Sequence, residues 1–142
     1  MAAKPLGISI VTVEASTPEE IERAFAAMKQ KRAEAVIVSA DPIFFGQGRQ
    51  IVELAARYRV PSMFYQREHV ELGGLISYGQ DVAVFYRRAA TYVDKILKGA
   101  KPGELPIEQP TKIHLAINQK TAKALGITVS KEFLFRADEV FE

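Results

Sequence analysis

Apolar positions along this chain alternate between two rhythms, a short β-branched run and then a helical spacing, and that alternation sets the expected architecture. Residues 7–14 read as a largely buried strand. Thr17-Pro18-Glu19-Glu20 then supplies an N-cap, a first-turn proline and a capping-box glutamate. The helix that follows turns Ile21, Ala24, Phe25 and Met28 inward and ends near Lys31. Residues 35–39 (AVIVS) suit a central parallel strand covered on both faces. A second helix over 47–58 uses Ile51, Leu54, Ala55 and Tyr58, and a strand over 60–65 opens at Pro61. With crossovers this short, the favoured solution is a parallel sheet flanked by helices, each crossover right-handed.

Residues 66–72 form at most one helical turn before Gly73-Gly74. A short strand over 75–78 then meets a glycine turn at Gly79 and the chain's longest amphipathic helix. Its apolar stripe is Val82, Phe85, Tyr86, Ala89, Val93, Ile96 and Leu97, and Asp81 is its natural N-cap. Lys98 to Gly103 is a turn-rich break, and Pro106 and Pro110 keep the next segment extended. Residues 111–118 alternate as a strand, with Ile113, Leu115 and Ile117 on one face and Lys112, His114 and Ala116 on the other. A helix over 121–125 closes at Gly126, and a last helical segment covers 131–141.

Composition adds mainly exclusions. The 142 residues suit one ordinary domain, and 48% hydrophobic with 25% charged residues is the average for a soluble globular chain. A formal net charge of +2 with mixed signs gives no stripe for nucleic acid, and no window is apolar enough for membrane insertion. The absence of cysteine removes disulfides, thiolate nucleophiles and sulfur metal sites. The first fifteen residues lack the small-residue cleavage site of an export signal, so the chain reads as cytoplasmic if complete as given.

In an open parallel sheet, ligands meet the loops at the carboxyl ends of the strands. Three loops qualify here. The first carries Ser39, Asp41, Phe44 and Phe45; the second Tyr65, Gln66, Arg67, Glu68 and His69; the third Ser77, Tyr78, Gln80 and Asp81. Asp41 either receives an ammonium or hydroxyl group or starts a helix as an Asp-Pro pair. Phe44 and Phe45 either stack on a planar ligand or place one ring in the core. Arg67 either clamps a carboxylate or makes a surface pair beside Glu68, and Asp81 is first a cap and second a ligand contact. His69 and His114 lack metal-ligand spacing and read as surface imidazoles. Gly46 and Gly48 complete neither a dinucleotide fingerprint nor a phosphate loop, and no nucleophile elbow occurs, so neither an enzyme nor a cofactor is expected. A receiver-like phosphoacceptor at Asp41 is the weakest alternative, because no acidic metal cluster accompanies it.

Several longer runs carry a family resemblance: SADPIFF at 39–45, IVELAARYRVPSMF at 51–64, REHVELGGLISYGQD at 67–81, and YRRAATYVDKILKGAKPGELPIEQPTKIHLAINQKTAKALGITV at 86–129. Together they resemble the ABC-transporter substrate-binding proteins that include the tryptophan- and tyrosine-type solute receptors. The resemblance implies a type I periplasmic binding fold, in which two α/β lobes close on a small molecule without chemistry and then dock on a membrane permease. This chain is similar to part of the second lobe. Residues 1–74 map to the core α/β lobe, 75–110 to a crossing segment whose helix belongs to the other lobe, and 111–142 to a return strand and C-terminal helices.

By the same resemblance, the loop at Asp41 and the segment from Tyr65 to Glu68 face the ligand, and Ser77, Tyr78 and Asp81 lie near the cleft. Asp41-Pro42 stands where amino-acid-binding relatives carry Asp-Asn, and Val84-Phe85 replaces a tyrosine-rich pattern. The location implied is periplasmic. An apolar helix without its sheet leads to a further expectation, a homodimer in which each chain covers the other's residues 75–110. The competing class is a cytosolic regulatory or oligomerisation domain that keeps the fold without transport.

Overall fold

The computed structural model describes residues 3–109 and 112–142. Thr17 begins the first helix as its sequence requires. The hydroxyl accepts the Glu20 N–H at 3.2 Å, Glu20 reaches back to the Ser16 N–H at 2.7 Å, and Pro18 takes the first helical position of α1 (Pro18–Gln30). The chain continues through β1 (Val36–Ile37), α2 (Pro42–Gly46), α3 (Gly48–Tyr58), β2 (Ser62–Phe64), α4 (Arg67–Glu71) and β3 (Ile76–Gly79). It ends with α5 (Val82–Leu97), β4 (His114–Asn118), α6 (Gln119–Leu125), α7 (Lys131–Phe135) and β5 (Glu139–Phe141). No helix among the described residues is long and apolar enough to cross a membrane.

The sheet runs β1-β2-β3-β4-β5, parallel at every step except the antiparallel pair β3-β4. Its register explains its two faces. Phe64, Ser77 and Ala116 form one cross-strand row, all nearly inaccessible. On that side Phe64 joins Ile21, Phe25 and Met28 of α1 and Ile51, Val52, Leu54 and Ala55 of α3 in the core, with Val36 and Val38 against it. The opposite row, Ile37-Met63-Ile76-Ile117, grades from 76% exposed at Ile37 to 1% at Ile117. One face is therefore packed throughout, and the other is covered only toward β4.

Two expected strands change character. Residues 7–14 form no strand and join no ladder among the described residues, leaving Ile8, Ile10 and Val11 exposed. Their β-branching favours extended backbone but does not supply a pairing partner. Residues 35–39, expected as a covered central strand, give instead the two-residue edge strand β1, which pairs with β2.

The last segment, expected as one helix, divides in two. Asp138 and Leu115 bond reciprocally: the Asp138 N–H donates to the Leu115 carbonyl at 2.9 Å, and its Oδ2 accepts the Leu115 N–H at 3.0 Å. That exchange ends the run of α7 and starts β5 beside β4, so a non-local ladder overrides a local helical pattern. Lying between β3 and β5, β4 also buries Leu115, Ala116, Ile117 and Asn118 consecutively rather than on one face. The expected start of β4 at Thr111 lies outside the described residues.

Asn118 ties β4 to the core from the other end. Its Oδ1 accepts the Thr121 N–H at 2.9 Å and so caps α6, while its Nδ2 donates to the Val70 carbonyl at 3.1 Å. Thr121 Oγ1 adds a bond to the Gly73 carbonyl at 2.8 Å. α5 stands apart, with no buried position. The segment after it folds back along one side of this helix, where Arg88 holds Glu108 through two bonds and the Tyr92 hydroxyl donates to the Pro106 carbonyl at 2.6 Å.

Candidate functional site

The parallel order of β1, β2 and β3 brings the loops that follow them to one edge of the sheet. After β1, Ser39 is exposed, and Asp41 caps α2 by accepting the Ile43 N–H at 2.9 Å. Phe44 packs half-buried against the core, whereas Phe45 stays more than half exposed. One ring of the pair thus serves the fold, and the other is free to meet a planar group.

After β2, the Tyr65 hydroxyl donates to Gln80 Oε1 at 2.8 Å, joining the second loop to the third. Gly79 makes that approach possible. A Cβ there would overlap the Tyr65 carbonyl, lying 2.8 Å from its carbon, so the residue is needed for close passage of β3 rather than for the turn expected at this point. Arg67 does not project freely from its loop. Its Nε and a terminal nitrogen bond both oxygens of Glu139 at 2.8 and 2.9 Å, with Glu71 3.9 Å away and the Phe141 ring beneath the guanidinium. The Glu139 bond raises the Arg67 pKa above its ordinary value. Glu68 lies half-buried in α4 beside it.

After β3 the residues separate. Ser77 is enclosed between Phe64 and Ala116, and its hydroxyl has no hydrogen-bond partner among the described residues. Tyr78, next along the strand, points to the opposite face and is half exposed. Asp81 caps α5 by accepting the Ala83 N–H at 2.8 Å. Beyond Gln80 a cavity of about 380 Å³ lies between the start of α5 and the start of β4, lined by Gln80, Asp81, Phe85, Arg88, Glu108 and His114 among others. A volume of that order suits a small molecule. Glu108 neutralises Arg88 within it, and the Arg88 bonds hold the Glu108 carboxyl below its usual value.

The two histidines correct the expectation of surface imidazoles. His69 is buried at 5% exposure, with its ring stacked on Phe64 at 4.7 Å between centroids, and His114 Nδ1 is enclosed at the cavity without a partner among the described residues. His69 and Gln80, expected in the second and third loops, take part through a buried ring and a side-chain bond, and His114 and Glu139 join the neighbourhood from outside the three loops. The Arg67–Glu139 contact spans 72 positions, and no spacing rule reaches that far. Among the described residues no group of three His, Asp or Glu side chains is placed to hold a metal.

A family model described as ABC transporter substrate binding protein matches residues 1–141. Among solved structures, a conserved domain protein from Vibrio cholerae is 27% identical with a TM-score of 0.88, over 98% of this chain and 47% of that one. An ABC domain in complex with L-Trp from Streptococcus pneumonia is 27% identical with a TM-score of 0.87, over 98% of this chain and 48% of that one. A ligand-free, open substrate binding protein with adhesive properties from Clostridium difficile shares the fold at 18% identity and a TM-score of 0.66, over 99% of this chain and 46% of that one. The chain spans about half the length of each of these structures. Among curated proteins, none matches.

Proposed function

The chain belongs to the ABC transporter substrate binding protein family, and on that premise we propose that it is a solute-binding component of a bacterial importer. It captures an amino acid or small organic acid on the loops after β1, β2 and β3 and carries out no chemistry on it. The observation that carries this reading is the convergence of those three loops at one sheet edge, the second and third joined through Tyr65 and Gln80, on a fold similar to a domain in complex with L-Trp. Ser39, Asp41, Phe45 and Tyr65 are the residues best presented to a ligand. Phe44, Arg67, Glu68, Ser77, Tyr78 and Asp81 support that edge or reach the ligand from its margins. Titration calorimetry with amino acids and small aromatic acids tests the reading: heat with at least one of them is expected, and neither heat nor a thermal shift with any overturns it.

On the same reading, residues 1–74 and 111–142 form one lobe, and 75–110 cross toward a partner surface. A periplasmic location and docking on an ABC permease follow from the proposed role. α5 exposes Tyr86, Val93 and Leu97 on the side away from the segment that folds back on it. This stripe lacks charge and can pair with a second copy of itself, which favours a homodimer through 75–110. The same bare stripe is what a cytosolic oligomerisation domain would present, and a loss of ligand binding with dimerisation intact would favour that reading.

A further inference from the structure

His69 lies against the segment that follows β1 and within the one that follows β2, and the contacts around it are more specific than packing requires. Its Nε2 is 3.2 Å from the Phe44 carbonyl in the terminal turn of α2. Its ring stacks on Phe64 of β2 at 10° between planes and meets Phe45 edge-on at 6.2 Å. A Cβ on Gly48, the first residue of α3, would come within 2.9 Å of the ring, so the α2–α3 junction closes over the imidazole only because this position is glycine. The His69 carbonyl, in turn, accepts the Gly74 N–H at 2.8 Å at the entry to β3. One residue therefore touches the elements that follow β1 and β2 and the segment that leads into β3.

We infer that His69 is the positioning residue of this site: its Nε2–H donates to the Phe44 carbonyl and fixes the Asp41–Phe45 segment over the loop that carries Tyr65 and Arg67. The inference rests on the proposed solute-binding role of those loops. A carbonyl in the last turn of a five-residue helix lacks an intrahelical donor, and α2 is too short to hold its own geometry by helix propagation. Nε2 faces a carbonyl oxygen, which can only accept, and this places a proton on Nε2, while Nδ1 is enclosed with no partner among the described residues. The ring thus works as a donor with a flat apolar body, a combination that neither phenylalanine nor lysine supplies.

Nitrogen NMR of the imidazole and amide hydrogen exchange in wild type, His69→Phe and His69→Gln test this directly. The Nε2–H tautomer is expected in the wild type. His69→Phe keeps the stacking surface and removes the donor, so the Phe45 and Gln47 amides should exchange about tenfold faster while Phe25 and Leu54 in the core stay within about threefold. His69→Gln returns an N–H near the Nε2 position and should restore most of the protection. An Nδ1–H tautomer, unchanged exchange at Phe45 and Gln47 in His69→Phe, or a uniform rise across core and loop would each overturn the inference. Calorimetry on the same proteins separates the two proposals, because altered loop exchange with no ligand heat in any of them refutes solute binding and leaves the positioning role standing.

Discussion

Arg67 and Glu139 meet through two parallel bonds, at 2.8 and 2.9 Å, and so join the loop after β2 to the final strand. Both side chains are about one-third exposed, which tempers the strength of a bidentate charged pair. Arg67→Ala or Glu139→Ala should each cost about 1–2 kcal/mol of stability. A double-mutant cycle in urea should return a coupling of roughly 1 kcal/mol. The raised Arg67 pKa adds no pH dependence in the ordinary range, since its contribution is complete below the unfolded value and is lost only in strong alkali.

Gly79→Ala should be among the most damaging single methyl additions to this chain. The added carbon would collide with the Tyr65 backbone, which lies in an adjacent strand-end segment and cannot rotate away as a side-chain tip can. A loss of about 3 kcal/mol is expected from chemical denaturation. Tyr65→Phe, which removes only the hydroxyl bond to Gln80, should cost about 1 kcal/mol.

Asp138 gives the acid side of the stability profile a defined contributor. The Leu115 N–H, and then the Lys112 ammonium, hold its carboxyl below the ordinary aspartate value. A depressed folded-state pKa contributes stability above the unfolded value and loses it as pH falls through the folded one. Asp138→Asn should therefore be less stable than wild type at neutral pH, and the difference should narrow below about pH 4. Denaturation midpoints measured across that range check the sign.

The bare face of α5 separates folding from assembly. Leu97 is 82% exposed, so Leu97→Lys should change the stability of an isolated chain by no more than about 0.5 kcal/mol. Light scattering at tens of micromolar should show a dimer for wild type and a monomer for the variant. A monomeric wild type would rule out the homodimer.

Much of the lobe was legible because its signals are local. The Thr17 capping box, the Asp81 cap and the Gly126 helix end lie within a few residues of what they control, and each is found as expected. What was not legible depends on pairing across the chain. Residues 7–14 have the composition of a strand without a ladder, and residues 139–141 have the pattern of a helix until Leu115 supplies one. The site divides in the same way. Sheet topology placed the three loops, but the engagement of Arg67 by Glu139 and the burial of Ser77 and His69 come from contacts that no spacing encodes.

Solute capture at the edge formed by the loops after β1, β2 and β3 is tested most directly by two-dimensional amide NMR, during titration with a panel of amino acids and small organic acids. At least one compound should shift a contiguous set of resonances at residues 39–45, 65–68 and 77–81, with the α5 stripe unaffected. No shifts with any compound at millimolar concentration, or shifts confined to residues outside those loops, would contradict the account.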